Sequence, residues 1–165
     1  LVGYGDIGRN LTNRLLISDT QVQVYDPFLD LSKLNDERIS LEVWPNKISN
    51  CDYLVLTCSL NSSNFHLLNK DIFNLMKTNA KIINVSRGGL INENDLIEAI
   101  ESGKINSVAL DVFEEEPLPI DSYLRKYDNC IFGSHNASNT TQAVRKTSFK
   151  TIEIIYNQFK DQPNS

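Results

Sequence analysis

The chain has no CxxC pair and no cysteine–histidine spacing of the metal-binding kind among its three cysteines, Cys51, Cys58 and Cys130. A disulfide scaffold and a structural metal site therefore have no basis, and no metal is expected. The thiols read as small buried side chains of a reducing compartment, which makes a cytoplasmic setting the expectation. No apolar run approaches the roughly 20 residues that a membrane-spanning helix needs, and no secretory leader opens the chain. Lysine and arginine total 16 against 21 aspartates and glutamates, a net charge of −5, with no basic cluster. Nucleic acid and anionic membranes are not expected as partners. Internal repeats, low-complexity tracts and linkers are absent too. What is present is 165 residues, 41% apolar and 22% charged, ordinary for a globular chain and enough for one domain with a core.

There is also no initiator methionine and no room for a full first strand. Leu1 and Val2 lead straight into Gly3-Tyr4-Gly5-Asp6-Ile7-Gly8. A glycine turn of this kind follows a strand, and strands average about five or six residues. The chain is expected to be cut inside its first strand.

Beyond the turn, strand and helix patterns alternate. Ile7, Leu11 and Leu15 recur at helical spacing and predict a helix over 7–17. QVQVY at 21–25 alternates as a strand and stops at Asp26-Pro27; a short helix near 29–36 follows. CDYLVLT at 51–57 reads as a buried strand. Asn64 is the expected cap of a helix over 65–77, and KIINV at 81–85 is the next buried strand. Asn92, then Leu96, Ile97 and Ile100, then Gly103 give a cap, an apolar face and a stop, so 93–102 is a helix. Residues 107–112 form a strand, 114–119 a loop of acids and prolines, and 130–132 a short strand. Val144, Ile152, Ile155 and Phe159 predict a helix over 140–160 before a polar tail at 161–165. The alternation implies an α/β fold with a doubly wound, mostly parallel sheet.

Gly3-x-Gly5-x-x-Gly8 fits the dinucleotide fingerprint of the Rossmann fold. The first glycine allows the tight turn, the second lets the backbone approach a pyrophosphate, and the third lets helix and strand pack closely. The helix N-terminus then offers N–H groups and partial positive charge to the phosphates. Asp26, eighteen residues after Gly8 at the end of the second strand, suits an acid that bonds the ribose hydroxyls and repels a 2′-phosphate. NAD is therefore expected over NADP. Read alone, the glycines could be a turn without a ligand and Asp26 a turn residue before Pro27.

Arg87, Glu116 and His135 fall just past predicted strands and Asp111 at the end of one, the edge where ligands bind in open α/β sheets. Each also has a bland reading: an ion-paired arginine, a solvated glutamate run, a structural histidine. His66, beside Phe65 on a predicted helix, is assigned only a structural role. Taken in order, however, GYGDIG at 3–8, Asp26, NVSRGGLINENDLIEAIESGKINSVALDVFEEEPLP at 84–119 and GSHNASNTT around His135 resemble the NAD-binding domain of the D-isomer-specific 2-hydroxyacid dehydrogenases, over nearly the whole chain. The resemblance leans toward members like D-3-phosphoglycerate dehydrogenase.

That resemblance implies an oxidoreductase passing a hydride between nicotinamide and C2 of a D-2-hydroxy acid or 2-keto acid. Arg87 would bind the substrate carboxylate and polarise the C2 oxygen. His135 would exchange the hydroxyl proton, and Glu116 would hold its ring and favour the imidazolium. It selects Glu116 over Glu114 and Glu115, which composition does not. Cofactor contacts would come from Gly3, Gly5, Asp6, Ile7, Gly8, Asp26, Thr57, Cys58, Val85, Ser86 and Asp111. Residues 1–165 would be the NAD-binding domain; the flanking segments that build the substrate domain, and much of a homodimer contact, would lie outside. The fragment alone is expected to bind NAD poorly and to turn over little. The chain departs from the family at Ser59, where a proline would stiffen the loop, at Asn61 and Asn64 in place of threonines, and at Ser134 and Asn136 beside the histidine. The competing reading is a non-enzymatic NAD(H)-sensing module of the corepressor type. A dehydrogenase of L-hydroxy acids would lack the SRGG and DVFEEEPLP arrangement.

Overall fold

The computed structural model describes residues 1–30, 32 and 34–160. They form two compact units, Leu1–Ser134 and His135–Ser165. The first runs α1 (Asp6–Leu15), β1 (Val22–Val24), β2 (Ile39–Leu41), β3 (Tyr53–Leu56), α2 (Lys70–Leu75), β4 (Ala80–Asn84), α3 (Glu93–Glu101), β5 (Ile105–Leu110) and β6 (Ile131–Phe132). The second holds α4 (Thr141–Lys160).

Every strand pairing in the first unit is parallel. β1 pairs with β2, and β3, β4, β5 and β6 follow one another in a second sheet. Val2 joins the two sheets, bridging to Tyr25 on one side and Leu56 on the other. Its N–H donates to Val55 O at 2.9 Å, and its carbonyl accepts from Thr57 N at 2.9 Å. Leu1 and Val2 are thus the central strand that the sequence showed only as a stub. The strand order reverses there, which is the switch point where open α/β sheets bind ligands.

Both faces of this sheet are covered, as runs of Val, Ile and Leu without polar alternation require. In β3, Leu54 and Leu56 enter the larger core while Val55 enters the smaller one with Tyr4, Val22 and Val24. The larger core gathers Phe73, Leu90, Leu96 and Ile105 from α2, the segment before α3, α3 and β5. Each such aliphatic side chain contributes about 1.5–3 kcal/mol on full burial.

The differences from the sequence reading have local causes. β2 was not anticipated, because its three residues are all half-buried and show no alternation. The helix expected over 65–77 is shortened to α2 and capped by Asn69, whose side chain accepts from Asp71 N and Ile72 N, not by Asn64. His66 N and Leu68 N instead donate to Gly89 O and Leu90 O, and Asn92 N donates to Leu68 O, so a turn with His66 at φ +52 leads into a single parallel bridge between Leu68 and Ile91. The helix expected near 29–36 falls partly on 31 and 33, outside the described residues; Ser32 is in a 3-10 turn, and 29–30 and 34–36 are not helical. The tail at 161–165 also lies outside them. α4 forms as expected, yet none of its residues is buried: Val144, Ile152, Ile155 and Phe159 are all exposed. The cysteines are half-buried, not buried, and none forms a disulfide. Among the described residues, no helix is long and apolar enough to cross a membrane.

Candidate functional site

The glycine turn is built by close contact. Gly3 has φ +94, and a Cβ there would come within 2.7 Å of Cys58 N, so the left-handed conformation and the crowding both demand glycine. A Cβ on Gly8 would lie 2.4 Å from Gly3 O, which is what packs α1 onto the turn. Gly5 differs: a Cβ there would meet nothing within 4 Å. It caps α1 without any side-chain hydrogen bond. The result is an open helix N-terminus with donors available to an anion, a cradle that fits a pyrophosphate. Asp6 directs its carboxylate to Arg9 at 2.9 Å, so its contribution to the cradle is its backbone. Ile7, expected on the apolar face of the helix, is 59% exposed and lines a cleft.

Two clefts open at the C-terminal ends of the strands. The larger, about 850 Å³, is bordered by Gly3, Gly5, Asp26, Phe28, Val43 and Trp44, among others. The smaller, about 460 Å³, is lined by Ile7, Thr57, Cys58, Ser59, Leu60, Val85, Ser86 and Arg87. Thr57, Cys58 and Ser59 belong to both, so a molecule as long as a dinucleotide could lie from one to the other. Asp26 Oδ2 accepts from Tyr4 N at 2.7 Å and Oδ1 from Phe28 N at 2.9 Å. It is therefore a turn residue and a cleft residue together, and each oxygen keeps a second lone pair for a hydroxyl.

The loop that borders both clefts lacks the family proline but is held another way. Asn61 N donates to Asn64 Oδ1 at 2.7 Å, Ser63 N and Oγ both donate to Asn61 Oδ1, and Asn64 Nδ2 donates to Ser59 O at 2.8 Å. The two asparagines make a reciprocal clasp. Thr57 Oγ1 donates to Gly3 O at 2.9 Å, tying the loop to the glycine turn, and Ser86 Oγ donates to Cys58 O. Burial pushes the Cys58 thiol up from its ordinary value, with Asp26 adding to the effect.

Arg87 is exposed at the end of β4, its Nη1 donating to Ser86 O at 2.6 Å. Glu116 lies in an exposed loop with its Oε1 accepting from Phe113 N at 3.1 Å. Asp111 continues from β5, its N–H bonded to Asn84 O, and Gly133 leaves it space: a Cβ there would sit 2.2 Å from Asp111 Oδ1. His135 opens the second unit, exposed and with φ +56. Among the described residues no cluster of His, Cys, Asp and Glu could hold a metal ion.

The sequence reading missed what supports these groups. Asn84 is fully buried at the end of β4. His66, set aside as structural, has its Nε2 2.5 Å from Glu114 Oε1. Glu114 and Glu93 exchange bonds, each N–H donating to the other's carboxylate at 2.6 and 3.0 Å. Glu93 is held above the usual carboxylate range by burial first, then by the charges of Glu114 and Glu115. One signal was visible for Asn84, a polar residue at an inward step of an apolar strand; the partnership of His66 and Glu114, 48 residues apart, had none.

Comparison with known proteins agrees with this geometry. The family model for the D-isomer specific 2-hydroxyacid dehydrogenase, NAD binding domain, matches residues 1–137. A hydroxypyruvate reductase of Thermotoga maritima is 32% identical over 161 residues, covering 96% of this chain and 51% of that protein. A D-3-phosphoglycerate dehydrogenase of Methanocaldococcus jannaschii is 35% identical over 156 residues, covering 94% and 30%. The chain thus spans about half or less of the length of these curated relatives. The crystal structure of a D-isomer specific 2-hydroxyacid dehydrogenase from Xanthobacter autotrophicus Py2, in complex with NADPH and MES, superposes with a TM-score of 0.85 at 28% identity, covering 98% of this chain and 66% of that one. The chain belongs to the D-isomer specific 2-hydroxyacid dehydrogenase family, and residues 1–137 correspond to its NAD binding domain.

Proposed function

We propose that the protein carrying this chain is an NAD-dependent oxidoreductase that interconverts a D-2-hydroxy acid and its 2-keto acid. The observation that supports this most is Arg87, a strand-end guanidinium in a cleft that shares Thr57, Cys58 and Ser59 with the dinucleotide cradle. A guanidinium fork bonds a carboxylate through two parallel N–H groups, and a carboxylate is what every 2-hydroxy acid presents. Hydride exchange is the chemistry the nicotinamide supplies when bound. Arg87 orients the acid and withdraws charge from its C2 oxygen. His135 takes the hydroxyl proton on oxidation and returns it on reduction, and Glu116 is the acid that orients its ring.

Asp26 selects NAD over NADP in this reading, since its carboxylate would repel a 2′-phosphate. Residues 1–165 act as the NAD-binding domain, with the substrate domain built from flanking segments, and the whole protein is a cytoplasmic homodimer. The names of the relatives make phosphohydroxypyruvate, hydroxypyruvate, glyoxylate and pyruvate the first substrates to test.

The test follows NADH absorbance in the whole protein, offering those 2-keto acids with NADH and the D-2-hydroxy acids with NAD. D-specific turnover that is lost in Arg87→Ala and His135→Ala, with NADH binding kept, supports the reading. Silence across the panel with NADH still bound would leave a cofactor-sensing module in its place.

A further inference from the structure

Along β4 the inward positions are Ala80, Ile82 and Asn84, exposed by 1%, 0% and 0%. The first two fill the core as expected; the third is an amide. Burying an amide is unfavourable unless its hydrogen bonds are made, so its partners show what it is for. Asn84 Nδ2 donates to Arg87 O at 2.9 Å, and Asn84 Oδ1 accepts from Ser86 N at 3.0 Å. Both bonds go to the next turn of chain, the one that delivers Arg87. The Asn84 carbonyl accepts from Asp111 N at 2.9 Å, fixing the strand end next to it.

We propose that Asn84 is the positioning residue for Arg87. Resting on the reading of Arg87 given above, the inference is that one buried amide folds residues 85–87 back toward the strand and so sets where the guanidinium meets the substrate carboxylate. The main chain contributes one long bond to this bend, Leu90 N donating to Arg87 O at 3.3 Å. The strand ladder ends at Asn84, and Arg87 has extended backbone at φ −145 and ψ 142 before a short 3-10 turn. Without the amide, Ser86 N would lose its partner and Arg87 O would keep only the longer bond from Leu90 N at 3.3 Å. Ser86 adds a tie from its hydroxyl to Cys58 O, and its carbonyl accepts from Arg87 Nη1 at 2.6 Å, so the residue that Asn84 Oδ1 holds in turn holds the guanidinium.

The experiment is a double-mutant cycle in the whole protein. Asn84→Ser and the isosteric Asn84→Asp are each combined with Arg87→Lys, which keeps the charge and loses the fork. KM and kcat for the best 2-keto acid and Kd for NADH are measured throughout. Asn84→Asp keeps shape and one acceptor but puts an oxygen opposite Arg87 O, so it tests the bond even if Asn84→Ser folds poorly. The expectation is a rise of about tenfold or more in keto-acid KM for both variants, with NADH Kd changed less than about twofold. In the Arg87→Lys background, the Asn84 changes should add little, since the geometry they spoil is already lost. Full additivity, or an unchanged KM where Arg87→Lys alone is impaired, overturns the assignment of Asn84. Wild-type kinetics in Arg87→Lys and in Arg87→Ala overturn the reading of Arg87 and this inference with it.

Discussion

Gly88 lies against the main chain of Phe113 so closely that a Cβ on it would sit 1.9 Å from both the carbonyl carbon and the oxygen, and 2.5 Å from Glu114 N. The segment after Arg87 and the segment before Glu116 therefore meet backbone to backbone, with no side chain between them to absorb change. Gly88→Ala should push them apart. The expected cost is about 1–3 kcal/mol of stability, with turnover reduced more than about tenfold. Thermal melting and steady-state kinetics on the same preparation check it; near-wild-type values in both would mean that the contact relaxes without consequence.

Why the strands were legible and this contact was not follows from range. Val, Ile and Leu runs announce β3, β4 and β5 because burial on both faces needs them locally. The glycine fingerprint and the Asn92 cap are likewise encoded within a few residues. Gly88 against Phe113, and His66 against Glu114, are matters of register between distant segments. Nothing local around His66 distinguishes a turn followed by a single strand bridge from a helix, so the pattern extends the helix back to Asn64, whereas the cap is Asn69. Glu116 could be picked from three adjacent glutamates only by family resemblance. In the structure two of them differ: Glu114 bonds His66 and Glu93, while Glu116 bonds Phe113 N.

His66→Ala should loosen the clasp between the loop at 61–68 and the glutamate loop. Both side chains are about 30% exposed (29% and 31%), so solvent screens the pair; the expected loss is about 1 kcal/mol. His66 has φ +52, a region asparagine tolerates. His66→Asn keeps that tolerance but is too short for the Glu114 bond, so it should melt near His66→Ala. Recovery to the wild-type temperature in His66→Asn would show that the backbone, not the bond to Glu114, sets the effect.

Asp26→Asn retains an acceptor for Tyr4 N or Phe28 N but removes the charge. The ratio of NADPH to NADH dissociation constants should fall by about tenfold, mainly through better NADPH binding. Fluorescence titration with both reduced cofactors measures it. An unchanged ratio would mean that discrimination lies elsewhere in the larger cleft.

Cys58 borders both clefts, and burial raises its thiol pKa. A raised pKa leaves less thiolate at a given pH, and the thiolate is the reactive form. Iodoacetamide at pH 8 should therefore label Cys58 more slowly than an unstructured cysteine peptide, and NAD should slow it further by covering it. Mass spectrometry of the alkylated peptides resolves the site. Labelling at the peptide rate, unaffected by NAD, would place the cofactor away from Cys58.

Glu93 carries a pH dependence of definite sign. Its folded-state pKa lies above the ordinary 4.5, from burial first and then from Glu114 and Glu115, outweighing the bond from Glu114 N. The folded protein therefore holds this proton more tightly than the unfolded chain does. Above the raised folded value the group is ionised in both states, and its contribution opposes folding. As pH falls through the raised folded value toward 4.5, the folded state protonates first and the penalty is relieved. Glu93→Gln keeps the acceptor for Glu114 N and cannot titrate. Helix-dipole attraction for a charge in the first turn of α3 shifts the offset between the two proteins but not the sign of this trend. The melting temperature of Glu93→Gln minus that of the wild type should thus be most positive near pH 7 and shrink steadily toward pH 4.5. A difference that stayed flat, or grew on acidification, would show that the Glu93 carboxylate is stabilised by its surroundings after all.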